Sequence, residues 1–261
     1  MVSVRKRNNS IKNILLIAVI LIIHFLIINE KENHRYNKGT IEVQTLSTKN
    51  SSSFNTPEEQ LGKKRDEIED SIPVFKYSSL SDDVKERIVG VSWRENSPVK
   101  LEELSYINVT YWGFDDKEHI GEMIVNKELA QEVIEIFKEL YEAKYPIEKI
   151  KLIDEYNADD SLSMADNNTS AFCFREVTGQ KGVFSQHSYG VAIDINPIQN
   201  PYVKGDVVLP EEGIEYLDRT NIRKGMITVG DPCYNAFKSR GWTWGGEWNS
   251  LKDYQHFEKE I

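Results

Sequence analysis

An α+β fold is expected for the folded part of this 261-residue chain, and three stretches fit it. Residues 106–125 read as a β-hairpin, residues 127–144 as an amphipathic helix, and Ser185–Asp194 as a small-residue, β-like run in which six residues separate His187 from Asp194. Packing alone does not require an imidazole and a carboxylate on one such run.

The composition allows a packed domain, since 39% hydrophobic and 28% charged residues is ordinary for a globular protein. The net charge is −10, and residues 1–13 carry Arg5, Lys6, Arg7 and Lys12 with no acid, so the remainder is more acidic still. An acidic body repels phosphate backbones, which argues against a nucleic-acid partner. Cys173 and Cys233 are too few and too far apart for a zinc knuckle or a disulfide framework. They read as two partly buried free thiols, with a single bridge as the alternative.

Taken in order, residues 1–13 form a basic flank and residues 14–28 an apolar run broken only by His24. The run is short for a bilayer span, and it ends in Asn29-Glu30-Lys31-Glu32 with no small-residue cleavage site. It reads as an uncleaved signal anchor, with a cleaved signal second. The basic flank places the N-terminus inside and the rest of the chain on the extracytoplasmic face. Residues 29–80 are too polar to offset chain entropy and read as a tether, with a short helix near 57–69. A domain over 81–261 follows.

Ser81-Asp82-Asp83 caps a short helix through Val89. Tyr106–Trp112 and His119–Val125, joined across Asp115-Asp116, form the hairpin, with His119 facing solvent. Asn126 caps the long helix, whose face carries Leu129, Val133, Ile136, Phe137, Leu140 and Tyr141. Pro146 ends it and 147–153 resembles a strand. Residues 159–174 look like a polar loop delivering Arg175, which is either an oxyanion clamp or a surface arginine paired with an acid. Pro197 and Pro201 close the Asp194 strand, residues 203–231 form a charged excursion, and 232–240 a short helix. The stretch Gly241-Trp242-Thr243-Trp244-Gly245-Gly246-Glu247-Trp248 fits a cleft wall approached closely by a ligand.

His187, Asp194 and His256 would supply three metal ligands and leave a fourth position open, which distinguishes a catalytic zinc site from a closed structural one. Asp253, three residues before His256, is then the candidate general base. Neither an H-x-H pair nor an H-E-x-x-H helix is present.

Ser185-x-His187-x-x-Gly190-x-Ala192-x-Asp194 with the later Asp253-x-x-His256 resembles the zinc D-alanyl-D-alanine carboxypeptidase family, which includes vancomycin-resistance carboxypeptidases and dipeptidases and L-alanyl-D-glutamate endopeptidases. The likeness extends through Asn168–Phe172, Arg175, Ile195-Asn196-Pro197, Asn200-Pro201-Tyr202 and Gly241–Gly246. It implies a small, mainly antiparallel sheet flanked by helices with one zinc ion at one end of the sheet. By position it implies zinc on His187, Asp194 and His256, Asp253 as base, Arg175 on the oxyanion, and Ser185 near substrate. Trp244 and Gly245 stand in the family's Trp-Gly segment and are taken as substrate contacts. Many relatives have a cysteine just before the arginine; here Phe174 takes that place and Cys173 lies one earlier. The implied activity is hydrolysis of peptide bonds involving D-amino acids in peptidoglycan stem peptides, of carboxypeptidase or L-Ala-D-Glu endopeptidase type. A catalytically silent wall-binding module is the alternative.

Overall fold

The computed structural model describes residues 72–177 and 180–261. The apolar run 14–28, the helix expected near 57–69 and most of the tether lie outside them. Among the described residues no helix is long and apolar enough to cross a membrane.

Order begins before residue 81. Strand β1 (Phe75–Ser79) pairs antiparallel with β2 (Leu104–Trp112), and Val74 and Thr110 exchange backbone and hydroxyl hydrogen bonds beside it. Only Phe75 of this strand packs against the core. An edge strand held by main-chain bonds needs no hydrophobic pattern, which is why its composition reads as tether.

Ser81 caps α1 (Asp82–Ile88) by accepting from Val84 N. The hairpin of β2 and β3 (Glu118–Asn126) runs in unbroken register from Leu104↔Asn126 to Trp112↔Glu118. His119 faces outward, stacked on Tyr111 and paired with Asp115 at 2.9 Å. The long helix, α2 (Ala130–Glu142), starts later than expected. Asn126 is still the last residue of β3 and Lys127 N bonds to Glu103 O, so the chain is committed to the sheet until the turn that Asn126 Oδ1 closes on Glu128 N. Val133, Ile136, Phe137 and Leu140 are fully buried on the expected face, each contributing roughly 1.5–3 kcal/mol.

Beyond Pro146 the strands are short. Of the expected 147–153 strand only β4 (Lys149–Ile150) forms, parallel to β5 (Asn168–Thr169), because Asn168 Oδ1 takes the next amide, Lys151 N. The expected loop at 159–174 contains α3 (Asp160–Ala165), capped by Asp159. A β6–β7 hairpin (Glu176–Val177 and Gln180–Phe184) leads to the 3-10 turn Gln186–Tyr189 and to β8 (Ala192–Asp194). The charged excursion also contains structure, with β9 (Tyr202–Lys204) and β10 (Val207–Leu209) forming a hairpin. Asp231 caps α4 (Pro232–Lys238). Strands β11 (Thr243–Trp244), β12 (Lys252–Asp253) and β13 (His256–Glu258) complete the chain.

The fold is thus mixed helix and antiparallel sheet, but it holds several short sheets where a single one is expected. The hairpin sheet is β1-β2-β3; the site lies on two others, β11-β13-β8 and β10-β9-β12. Asn196, in a left-handed conformation, and Pro197 cut β8 short. Behind it, Phe257 stacks on Phe237 at 4.0 Å, and Trp242, Trp244 and Ile193 close the core.

Candidate metal centre and cleft

Register places two of the expected ligands. His256, first in β13, is the cross-strand partner of Asp194, last in β8, so both side chains project from one face at the end of that ladder. His187 arrives on the 3-10 turn. Ser185 Oγ accepts from His187 N at 3.3 Å, and the turn closes at Gly190 with φ +69°. A Cβ at Gly190 would sit 2.6 Å from Asn126 N, whose N–H donates to Gly190 O. The turn is therefore pinned to the end of β3, and only glycine permits that approach.

The donor atoms converge. His187 Nε2 lies 3.1 Å from Asp194 Oδ2, His256 Nδ1 lies 3.0 Å from Asp194 Oδ1, and the two imidazole nitrogens are 3.2 Å apart. All three residues are buried. The second nitrogen of each ring is also spoken for: His187 Nδ1 donates to Ala171 O at 2.6 Å, and His256 Nε2 donates to Glu258 Oε2 at 3.0 Å. A carbonyl and a carboxylate can only accept, so His187 turns the lone pair of Nε2 inward and His256 presents Nδ1. Two imidazole nitrogens and a carboxylate, oriented in this way, fit a divalent ion.

Burial opposes charge on Asp194, but the charges and hydrogen bonds of His187 and His256 outweigh it and hold its carboxyl below the usual range. Burial likewise opposes charge on His256. Its bonds to Asp194 and Glu258 prevail and raise it to about 10 without an ion.

Asp253 lies beside this cluster on β12, paired with Tyr202 of β9. Its Oδ1 is shielded from solvent and has no partner among the described residues. Burial, with help from the charge of Asp194, pushes the carboxyl up to about 7. Arg175 reaches the same cleft while paired with Asp160 of α3 at 3.1 Å. The two readings of this arginine therefore coexist: it is paired with an acid, and it faces the site. Its backbone is tied to the His187 turn, since Ser188 Oγ accepts from Arg175 N and donates to Arg175 O.

These groups line a cavity of about 390 Å³. Ser185 and Trp248 are on its wall, and Trp248 packs against the His256 ring at 5.4 Å. Trp244 and Gly245 are not among the lining residues. Trp244 is in the core, donating to Tyr254 O, because β11 pairs with β13 and turns that side chain inward. Gly245 lies behind Asp253: a Cβ there would meet Asp253 O at 2.5 Å and Asp253 Cβ at 2.8 Å. Gly245→Ala is accordingly expected to displace β12 and lower kcat by about 10- to 100-fold with metal content unchanged, measured by steady-state rates and metal analysis.

Cys173 and Cys233 are free and buried, and burial pushes the Cys173 thiol up to about 12, so neither is a reactive nucleophile. Asp160, Met164 and Glu258 line the cleft and escape sequence reasoning, whereas Trp248 lies on the wall expected of its stretch. Only Glu258 left a signal, since i, i+2 spacing on a strand puts it on the face of His256.

A buried two-histidine, one-carboxylate donor set on the wall of a cleft suits a metal-dependent hydrolase. Residues 178–259, about a third of the chain, match the family model described as D-alanyl-D-alanine carboxypeptidase, and the matched stretch contains His187, Asp194, Asp253 and His256. The match and the buried His187, Asp194 and His256 group together support a metal-dependent peptidase. No solved structure matches it.

Proposed function

We propose that this chain is a zinc peptidase that hydrolyses peptide bonds involving D-amino acids in peptidoglycan stem peptides, in bacterial cell-wall turnover. The observation that carries the reading is the convergence of His187, Asp194 and His256, with Asp253 and Arg175 in the same cleft, inside a segment that matches the carboxypeptidase family. His187 Nε2, His256 Nδ1 and Asp194 would hold the zinc, which supplies Lewis-acid polarisation of the carbonyl and activation of water. Asp253 takes the proton of the attacking water and returns it to the leaving amine. Arg175, held by Asp160, offers donors to the oxyanion. The basic flank and apolar run at 1–28 favour a chain held at the membrane with its peptidase on the extracytoplasmic face, next to that substrate.

Digestion of purified muropeptides with and without added zinc, with products read by mass, tests this. Zinc-dependent loss of one terminal D-alanine marks a carboxypeptidase; release of the stem after L-alanine marks an endopeptidase. A chain that binds the ion and the muropeptides yet cleaves neither bond is the silent binding module, and the proposal falls.

A further inference from the structure

Among the described residues, Arg175 and Lys204 are the lysine or arginine side chains that line the cleft. Arg175 is held by Asp160 of α3. Lys204 stands on β9, is exposed to solvent, and has no carboxylate at ion-pair distance among the described residues. The chemistry proposed for the site leaves it without a task.

Strand geometry turns Lys204 towards the cleft. Tyr202 and Lys204 are two apart on β9 and share a face, and Leu209 of β10 is the cross-strand partner of Tyr202. All three line the cleft, whereas Val203 and its partner Val208, on the opposite face, do not. The same strand carries Asp253, since Tyr202 pairs with Asp253 of β12. Two residues of strand span about 7 Å, a distance that the flexible four-carbon stem of a lysine covers. The ammonium thus serves the space next to Asp253.

Charge gives that position a meaning. The acids lining the cleft are Asp160, Asp194, Asp253 and Glu258. Asp160 is paired with Arg175, Asp194 with both histidines, and Glu258 with His256. A lining of this kind repels an anionic peptide unless a cation meets the negative end. Both candidate bonds release a residue that bears a carboxylate on its α-carbon: a terminal D-alanine, or a D-glutamate linked onward through its side-chain carboxyl. In each, the carboxylate carbon is two bonds from the nitrogen to which Asp253 would return the proton. The anion of the leaving residue therefore falls beside Asp253, where Lys204 is the unpaired cation.

We propose that Lys204 is a specificity-determining residue whose ammonium binds the α-carboxylate of the residue released by cleavage. The inference rests on the peptidase reading. It adds that the leaving residue must carry a free carboxylate.

The test uses two pairs of synthetic stem peptides, one ending in D-Ala-D-Ala with a free or an amidated terminus, the other containing L-Ala-D-Glu with a free or an amidated α-carboxyl. On the bond that the wild-type chain cuts, amidation is expected to lower kcat/KM by about 10- to 100-fold, the effect of losing one charged hydrogen bond. Lys204→Met is expected to lose as much on the carboxylate peptide and little further on the amide, with unchanged zinc content. Lys204→Arg keeps the charge and is expected to recover most of the rate. An amidation penalty of equal size in the wild type and Lys204→Met, or none in the wild type, overturns the assignment and leaves the peptidase reading standing. A wild-type chain that cleaves neither bond overturns that reading, and this inference with it.

Discussion

Asp253→Asn is expected to lower kcat by about 10²- to 10⁴-fold while the protein keeps its metal. The exchange preserves shape and removes only the proton acceptor, and Asp253 stands outside the three converging donors. Stopped-assay rates with metal analysis of the same sample decide the point; wild-type rates would remove Asp253 from the chemistry. The pH dependence has a definite sign. The base works ionised, so activity falls as pH drops through its pKa. Burial raises that value to about 7 without an ion, and a bound cation draws it down again, so the acid limb of the kcat/KM profile lies at or below about 7. Metal-free protein shows the reverse trend in stability. Between an ordinary carboxyl pKa and about 7 the unfolded chain has released this proton and the folded one has not, so raising pH favours unfolding. Asp253→Asn removes that contribution to the melting curve.

His187→Ala is expected to abolish stoichiometric metal binding and, with it, activity by more than about 10³-fold, since two remaining ligands do not make a site. Binding by the wild type is linked to protons in a way that identifies the ligand atom. Without an ion His256 holds its proton up to about pH 10, and the nitrogen that faces Asp194 is the one the ion needs. The ion must therefore displace a proton, and apparent affinity is expected to rise about tenfold per pH unit between pH 7 and 9. Competition titrations with a chromophoric chelator measure the slope; a flat profile would place the ion elsewhere.

Much of this site is legible in the residues because its parts are local. Ser185 caps the turn that carries His187, and Asp194 ends a three-residue strand before Asn196-Pro197. Asp253 and His256 sit three apart in one short segment. Helix ends were readable where a side chain closes them, as at Ser81, and misjudged at Asn126, where a distant strand claims the backbone. The cleft wall was misread for a related reason. Trp242, Trp244 and Trp248 are one residue type within seven positions, and only the pairing of β11 with β13 sends Trp244 into the core while Trp248 lies on His256.

By itself, then, the sequence determined the three donors that converge as a candidate metal site, the hairpin and the long helix, because caps, periodicity and short motifs act over a few residues. Tertiary structure alone decided which nitrogen of each histidine faces the ion, through Ala171 O and Glu258, and which acid holds Arg175. It also decided that the Gln255 amide rests against Met164 Sδ. Those outcomes depend on groups brought together from 16 residues away between His187 and Ala171, and from 91 between Gln255 and Met164. Contacts of that kind are set by packing and by strand register, which no local pattern of side chains records.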